Sequence, residues 1–188
     1  MINLTINGID VQVPDDATVM QAARAAGINI PSLCSHPDLK VKDNCKVCMV
    51  DIDGELKTAC SEVAAPGMVV KTFTPRVIEA KRESLRKILQ VHPQDCLNCP
   101  RNQNCELQTL AALLINREVE VKPLHLPKDT STPALVRDPS KCTLCGRCVE
   151  MCNDIQTVGA LEIKNGIPQT VDGKLLIETK CVMCGQCA

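Results

Sequence analysis

The chain has 188 residues and a formal net charge of −1, with fourteen cysteines but a single aromatic residue, Phe73. The near-neutral balance gives no field for nucleic acid or an anionic bilayer, and the lack of aromatics removes the stacking platforms that single-stranded nucleic acid needs. With so few aromatics to fill an interior, bound metal groups are expected to supply part of the folding free energy.

The first element is a hairpin, in which Leu4, Ile6, Ile9, Val11 and Val13 flank Asn7-Gly8, the strongest short turn signal. Asp15 or Asp16 is expected to cap a helix over 17–26, with Gly27 past its end. Runs 47–52 and 56–59 around Asp53-Gly54 read as a second hairpin, and 68–73 as a further strand. A small sheet on one helix, followed by cysteine loops, outlines a β-grasp domain. Thr74-Pro75 opens a helix with proline at its first position, ending near His92-Pro93. A cysteine loop follows, then a helix over 106–115. Segment 122–138 holds Pro123, Pro127 and Pro133, with Pro139 just after it, and reads as a linker.

The N-terminus has neither the basic nor the apolar stretch of a signal peptide. No apolar run approaches the ~20 residues that span a bilayer. No membrane insertion and a cytoplasmic location are therefore expected. In that compartment dense cysteines read as metal or redox sites rather than disulfides.

The cysteines form three groups. Cys34, Cys45, Cys48 and Cys60 are spaced C-x10-C-x2-C-x11-C, a pattern suited to a [2Fe–2S] cluster on four thiolates. A four-cysteine zinc site is the alternative, although zinc more usually uses two close pairs. Cys96, Cys99 and Cys105 make three ligands, one short of a [4Fe–4S] cluster, and His92 is the candidate fourth. His36 and His125 are weaker candidates. Cys142, Cys145, Cys148 and Cys152 form the C-x2-C-x2-C-x3-C run of bacterial ferredoxins. Cys181, Cys184 and Cys187 begin that run again, with a glycine after the second cysteine in both copies. The fourth cysteine of one run ligates the other cluster in such pairs. Cys152 should therefore join Cys181, Cys184 and Cys187 in one [4Fe–4S] site. Cys142, Cys145 and Cys148 start another, whose fourth ligand is expected beyond Ala188. The chain is thus expected to be the front of a longer polypeptide.

These groups, in this order, resemble the N-terminal iron–sulfur region of [FeFe]-hydrogenase catalytic subunits of the NAD(P)-linked, electron-bifurcating kind. The same layout is found in NAD-dependent formate dehydrogenase α subunits and in the large iron–sulfur subunit of complex I. The match is carried by the three cysteine sets, His92-Pro93, the Cys105-Glu106-Leu107-Gln108 segment and the Ala134–Asp138 segment. The resemblance implies an α+β chain of three parts. These are a β-grasp [2Fe–2S] domain over 1–75, a helical [4Fe–4S] domain with one His and three Cys ligands over 76–121, and, after the 122–138 linker, a two-[4Fe–4S] ferredoxin-like domain over 139–188, incomplete at its C-terminus. It implies one [2Fe–2S] and three [4Fe–4S] clusters in a hetero-oligomer. The expected partners are an NAD(P)H-binding flavoprotein that carries FMN or FAD, a small [2Fe–2S] thioredoxin-like subunit, and ferredoxin.

The chain has no nucleophile–base constellation, no dinucleotide fingerprint and no P-loop. Its expected role is electron transfer within a larger oxidoreductase, with catalysis elsewhere. A formate dehydrogenase or complex I-like subunit is the alternative, and a zinc-stapled interaction module is the reading from another class.

Overall fold

The computed structural model describes residues 1–40, 43–115 and 119–187; the expected limit of the third module, Ala188, lies outside them. The N-terminal module is a mixed five-stranded sheet in the spatial order β2 (Ile9–Val13), β1 (Ile2–Ile6), β5 (Val69–Lys71), β3 (Met49–Ile52), β4 (Glu55–Thr58). Strands β1 (Ile2–Ile6) and β2 (Ile9–Val13) form the expected hairpin. Strand β3 (Met49–Ile52) pairs with β4 (Glu55–Thr58) around Asp53-Gly54. Strand β5 (Val69–Lys71) lies between the hairpins, parallel to β1 and antiparallel to β3. Alternation sends Leu4, Ile6, Val11, Val13, Val50, Ile52 and Val70 to one face, where all are buried.

Helix α1 (Val19–Ala25) covers that face through Val19, Met20, Ala22 and Ala23. Its cap corrects the expectation. Thr18, not Asp15 or Asp16, is the N-cap, in a reciprocal capping box with Gln21. Asp15 instead accepts from the N-terminal ammonium at 2.5 Å. A tight turn, with the Ala17 N–H donating to Pro14 O at 3.1 Å, carries the chain on to Thr18 before helical geometry begins.

Helix α2 (Pro75–Val91) opens as expected, with Thr74 as N-cap and Pro75 at its first position. Helix α3 (Glu106–Leu114) packs against it, and Leu85, Ile88, Leu89, Leu107 and Leu110 close a second core. That core also takes in Leu33, Cys34, Cys45 and Val47 from the first module, with Cys105 and Cys145 against its edge. Cysteines of all three groups therefore meet one apolar cluster.

The C-terminal module contains helix α4 (Arg147–Glu150), continued by a π-turn over Met151–Ile155, and the hairpin β6 (Leu161–Lys164) and β7 (Ile167–Thr170). Segment 122–138, expected as a linker, joins the modules and is itself tied down. The Lys122 N–H donates to Gln90 O at 2.7 Å and the Leu124 N–H to Val91 O at 3.1 Å. Asp129 pairs with Arg137 through both backbone groups, and its buried carboxylate accepts from the Leu176 N–H at 2.7 Å.

Candidate metal centres

None of the fourteen cysteines forms a disulfide. Cys34, Cys45, Cys48 and Cys60 lie on the loops at one end of the sheet and are all buried. Cys60 closely follows β4 and Cys48 directly precedes β3, so strand pairing brings these two together. The loop after Ile30 brings in Cys34, whose sulfur lies 3.4 Å from that of Cys45. The Leu33 N–H also points at the Cys45 sulfur, at 3.4 Å. The Cys45 thiol donates to the Cys34 sulfur, and Cys60 lies close enough to Cys34 and Cys48 to shift their ionisation.

This crowding sets the protonation. The Cys34 thiol is pulled far down by the Cys45 and Cys60 S–H groups that donate to it. Cys60 is pushed up by its thiol neighbours first and by burial after them, and Cys45 by Cys34 and then by burial. Four thiols packed away from water do not ionise together on their own. A bound metal centre reverses that balance, because coordinating thiols are deprotonated outright. The donor set thus fits a thiolate-ligated metal group.

His92 is the C-cap residue of α2, half-buried, with extended backbone. Burial pushes its pKa down and keeps the imidazole neutral, the form that ligates a metal. The backbone of Pro93 and of Lys141 lies near enough to the ring to oppose that shift in part. Cys96 and Cys99 flank a 3₁₀ turn closed by the Cys99 N–H on Cys96 O at 3.1 Å, and Cys105 is the N-cap residue of α3. His36 accepts from the Asp38 N–H at 3.2 Å in an exposed turn, apart from this group.

The two ferredoxin-type runs share one local geometry. The Leu144 N–H points at the Cys142 sulfur at 3.3 Å, and the Met183 N–H at the Cys181 sulfur at 3.4 Å. Leu144, Gly146, Met183 and Gly185 all have positive φ. Backbone N–H groups turned inward in this manner form the concave nests typical of iron–sulfur sites. One pocket is lined by Cys152 together with Cys181, Cys184 and Cys187, and backed by Leu161 and Leu176. Cys142 and Cys148 are pushed up by burial, Cys148 to about 12. Among the described residues, no three His, Cys, Asp or Glu side chains converge as they would on a single bare ion.

Family profiles match three stretches. Residues 1–75 match a 2Fe-2S iron-sulfur cluster binding domain, 81–119 the NADH-ubiquinone oxidoreductase-G iron-sulfur binding region, and 135–152 a 4Fe-4S binding domain. The NADP-reducing hydrogenase subunit HndD of Solidesulfovibrio fructosivorans is 37% identical over all of this chain and 34% of its own length. An NADH-quinone oxidoreductase protein of Rhizobium meliloti is 34% identical over all of this chain and 23% of its own. A Staphylococcus haemolyticus sequence named for formate dehydrogenase is 33% identical over 98% of this chain and 19% of its own. The chain belongs to the iron–sulfur region common to these oxidoreductases. It spans about a third or less of the length of these curated relatives. Among solved structures, a chain of an NAD+-reducing [NiFe]-hydrogenase in the H2-reduced state superposes with a TM-score of 0.88 at 26% identity, over 96% of this chain and 80% of that one. No helix among the described residues is long and apolar enough to cross a membrane.

Several participants carried no sequence signal. Arg147 and Asn44 join the cysteine loops to one another. Lys81 is buried within α2, its ammonium donating to Thr72 O at 2.9 Å.

Proposed function

We propose that this chain is an electron relay carrying one [2Fe–2S] and three [4Fe–4S] clusters. Cys34, Cys45, Cys48 and Cys60 hold the first, and His92, Cys96, Cys99 and Cys105 the second. Cys152, Cys181, Cys184 and Cys187 hold the third. Cys142, Cys145 and Cys148 contribute to the fourth. The observation that best supports the reading is a pocket lined by Cys152 together with Cys181, Cys184 and Cys187. Such an exchange of the fourth ligand is the signature of a paired ferredoxin run. The sheet order, with β1 and β5 parallel at its centre, supports a β-grasp domain for the first cluster.

When bound, the clusters supply one-electron carriers whose potentials follow ligand type, hydrogen bonds to sulfur and burial. The protein's own part is to set those terms. Burial of the first four thiols keeps water from the site. The N–H groups of Leu33, Leu144 and Met183 stabilise negative charge on sulfur. Neutral His92 replaces one thiolate and leaves its site less negative.

In this reading electrons enter from an NAD(P)H-handling flavoprotein subunit, with a small thioredoxin-like [2Fe–2S] subunit beside it. They pass toward a hydrogenase centre, of [FeFe] type if the catalytic domain follows on the same polypeptide. The solved neighbour favours a second reading. That chain is only modestly longer than this one and belongs to a [NiFe]-hydrogenase, so the same relay would serve a centre carried by another subunit. Whether one polypeptide carries both the relay and the catalytic centre decides between the two.

An anaerobic reductive titration followed by electron paramagnetic resonance tests the relay. The expected result is a [2Fe–2S] signal that Cys48→Ser abolishes and separate [4Fe–4S] signals that survive it. A spectrum with one kind of signal, or none, contradicts the reading.

A further inference from the structure

Arg147 lies between Cys145 and Cys148 of the ferredoxin run, yet its guanidinium leaves that module. Nη2 donates to Ser35 O at 2.9 Å and Nε to Cys34 O at 3.4 Å, both on the loop of the first group. Nη1 donates to Glu106 Oε2 at 2.9 Å, the residue after Cys105. The head is about three-quarters covered, with a side-chain exposure of 25%. The same seam is closed from the other side. Asn44, the neighbour of Cys45, donates from Nδ2 to Cys145 O at 3.4 Å. Gly146 lets the two loops approach this closely, since a Cβ there would fall 2.9 Å from Asn44 Nδ2.

We propose that Arg147 is the positioning residue that locks the three cysteine loops at fixed separations, so that the first group, the His92 group and the Cys142 run form one continuous electron path. A guanidinium suits this task. Its planar fork presents five donors, which an ammonium cannot match. Here it addresses two backbone carbonyls and one carboxylate on two separate loops. Each contact lies at, or one residue from, a cysteine of a different group. Electron tunnelling falls steeply with distance, so holding these loops is itself a functional act. The inference rests on the cluster assignments proposed above.

The test uses anaerobically purified holoprotein bearing Arg147→Gln, Arg147→Lys or Asn44→Ala. Amide hydrogen exchange is read at Ser35, Thr109 and Val149, whose N–H groups are bonded within the first cysteine loop and in the first turns of α3 and α4, next to the other two. Iron and sulfide content and the spin–spin broadening between reduced clusters are read alongside. Arg147→Gln should speed exchange about tenfold at all three sites together, the loss expected for a charge-assisted contact. It should narrow the broadened signals while cluster content stays at the wild-type level. Arg147→Lys should restore protection at one partner loop only. Asn44→Ala should loosen Ser35 and Val149 and leave Thr109 unchanged. Faster exchange confined to Val149, or broadening unchanged in Arg147→Gln, would overturn the proposal. If Arg147→Gln yields no stable holoprotein, wild-type exchange at both Ser35 and Thr109 in Arg147→Lys would overturn it as well. Wild-type protein without iron and sulfide would instead sink the cluster assignments beneath it.

Discussion

Gly146 and Gly185 occupy the same place in the two copies of C-x2-C-G, and both have left-handed backbone, φ 79° and 73°. Their surroundings differ. A Cβ on Gly146 would lie 2.9 Å from Asn44 Nδ2 and 3.4 Å from Ile163 Cδ1, whereas one on Gly185 meets no heavy atom of the described residues within 4 Å. Alanine at either position costs about 1–2 kcal/mol for the left-handed conformation. At Gly146 it must also push Asn44 off Cys145 O, forfeiting about 0.5–1.5 kcal/mol more. By the same contact, Gly146→Ala should cost about 1 kcal/mol more than Gly185→Ala. The assay is the chaotrope concentration at which visible cluster absorbance is lost, compared between the two variants. The excess should vanish in Asn44→Ala/Gly146→Ala, because the clash partner is gone and the two changes share one contact. Equal losses for the two glycines, or strict additivity in the double variant, would refute the reasoning.

Further outcomes follow from the same structure. Thr18→Ala removes the capping box of α1 and should cost about 1 kcal/mol in thermal or chaotrope unfolding. Leu85→Ala opens a void in the core shared by the first two modules and should cost about 2–5 kcal/mol by the same measurement. Burial pushes the Lys81 pKa from 10.5 down to about 8. Its penalty is then complete below pH 8 and is relieved as pH rises from 8 to 10.5, where only the unfolded chain still holds the proton. Wild-type stability should rise relative to Lys81→Met across that window, and a flat difference would contradict this. His92→Cys restores a fourth thiolate and should lower the potential of that cluster in a redox titration.

Much of the candidate site was legible because cysteine spacing is a local property. A C-x2-C turn needs no distant partner to define it, and the repeat at Cys142 and Cys181 is what suggests the proposed exchange of ligands. The hairpins at Asn7-Gly8 and Asp53-Gly54 and the Thr74-Pro75 helix start were legible for the same reason. The α1 cap was misplaced because Asp15 and Asp16 offer a carboxylate of the right kind. The choice of Thr18 depends on a turn at Pro14 that sequence preference does not rank. Arg147 was not legible at all. Its acceptors at Cys34 and Ser35 lie more than a hundred residues earlier in the chain, and a lone arginine between cysteines has no pattern to announce such a reach. Segment 122–138 read as a tether because of its prolines, which mark extended backbone but say nothing of what that backbone pairs with.

Metal and acid-labile sulfide analysis of anaerobically purified protein tests the central claim most directly. Iron and sulfide in roughly equal amounts, with zinc at background, is the result expected of thiolate-bound iron–sulfur clusters. Stoichiometric zinc without sulfide would contradict the account and leave a zinc-stapled module in its place.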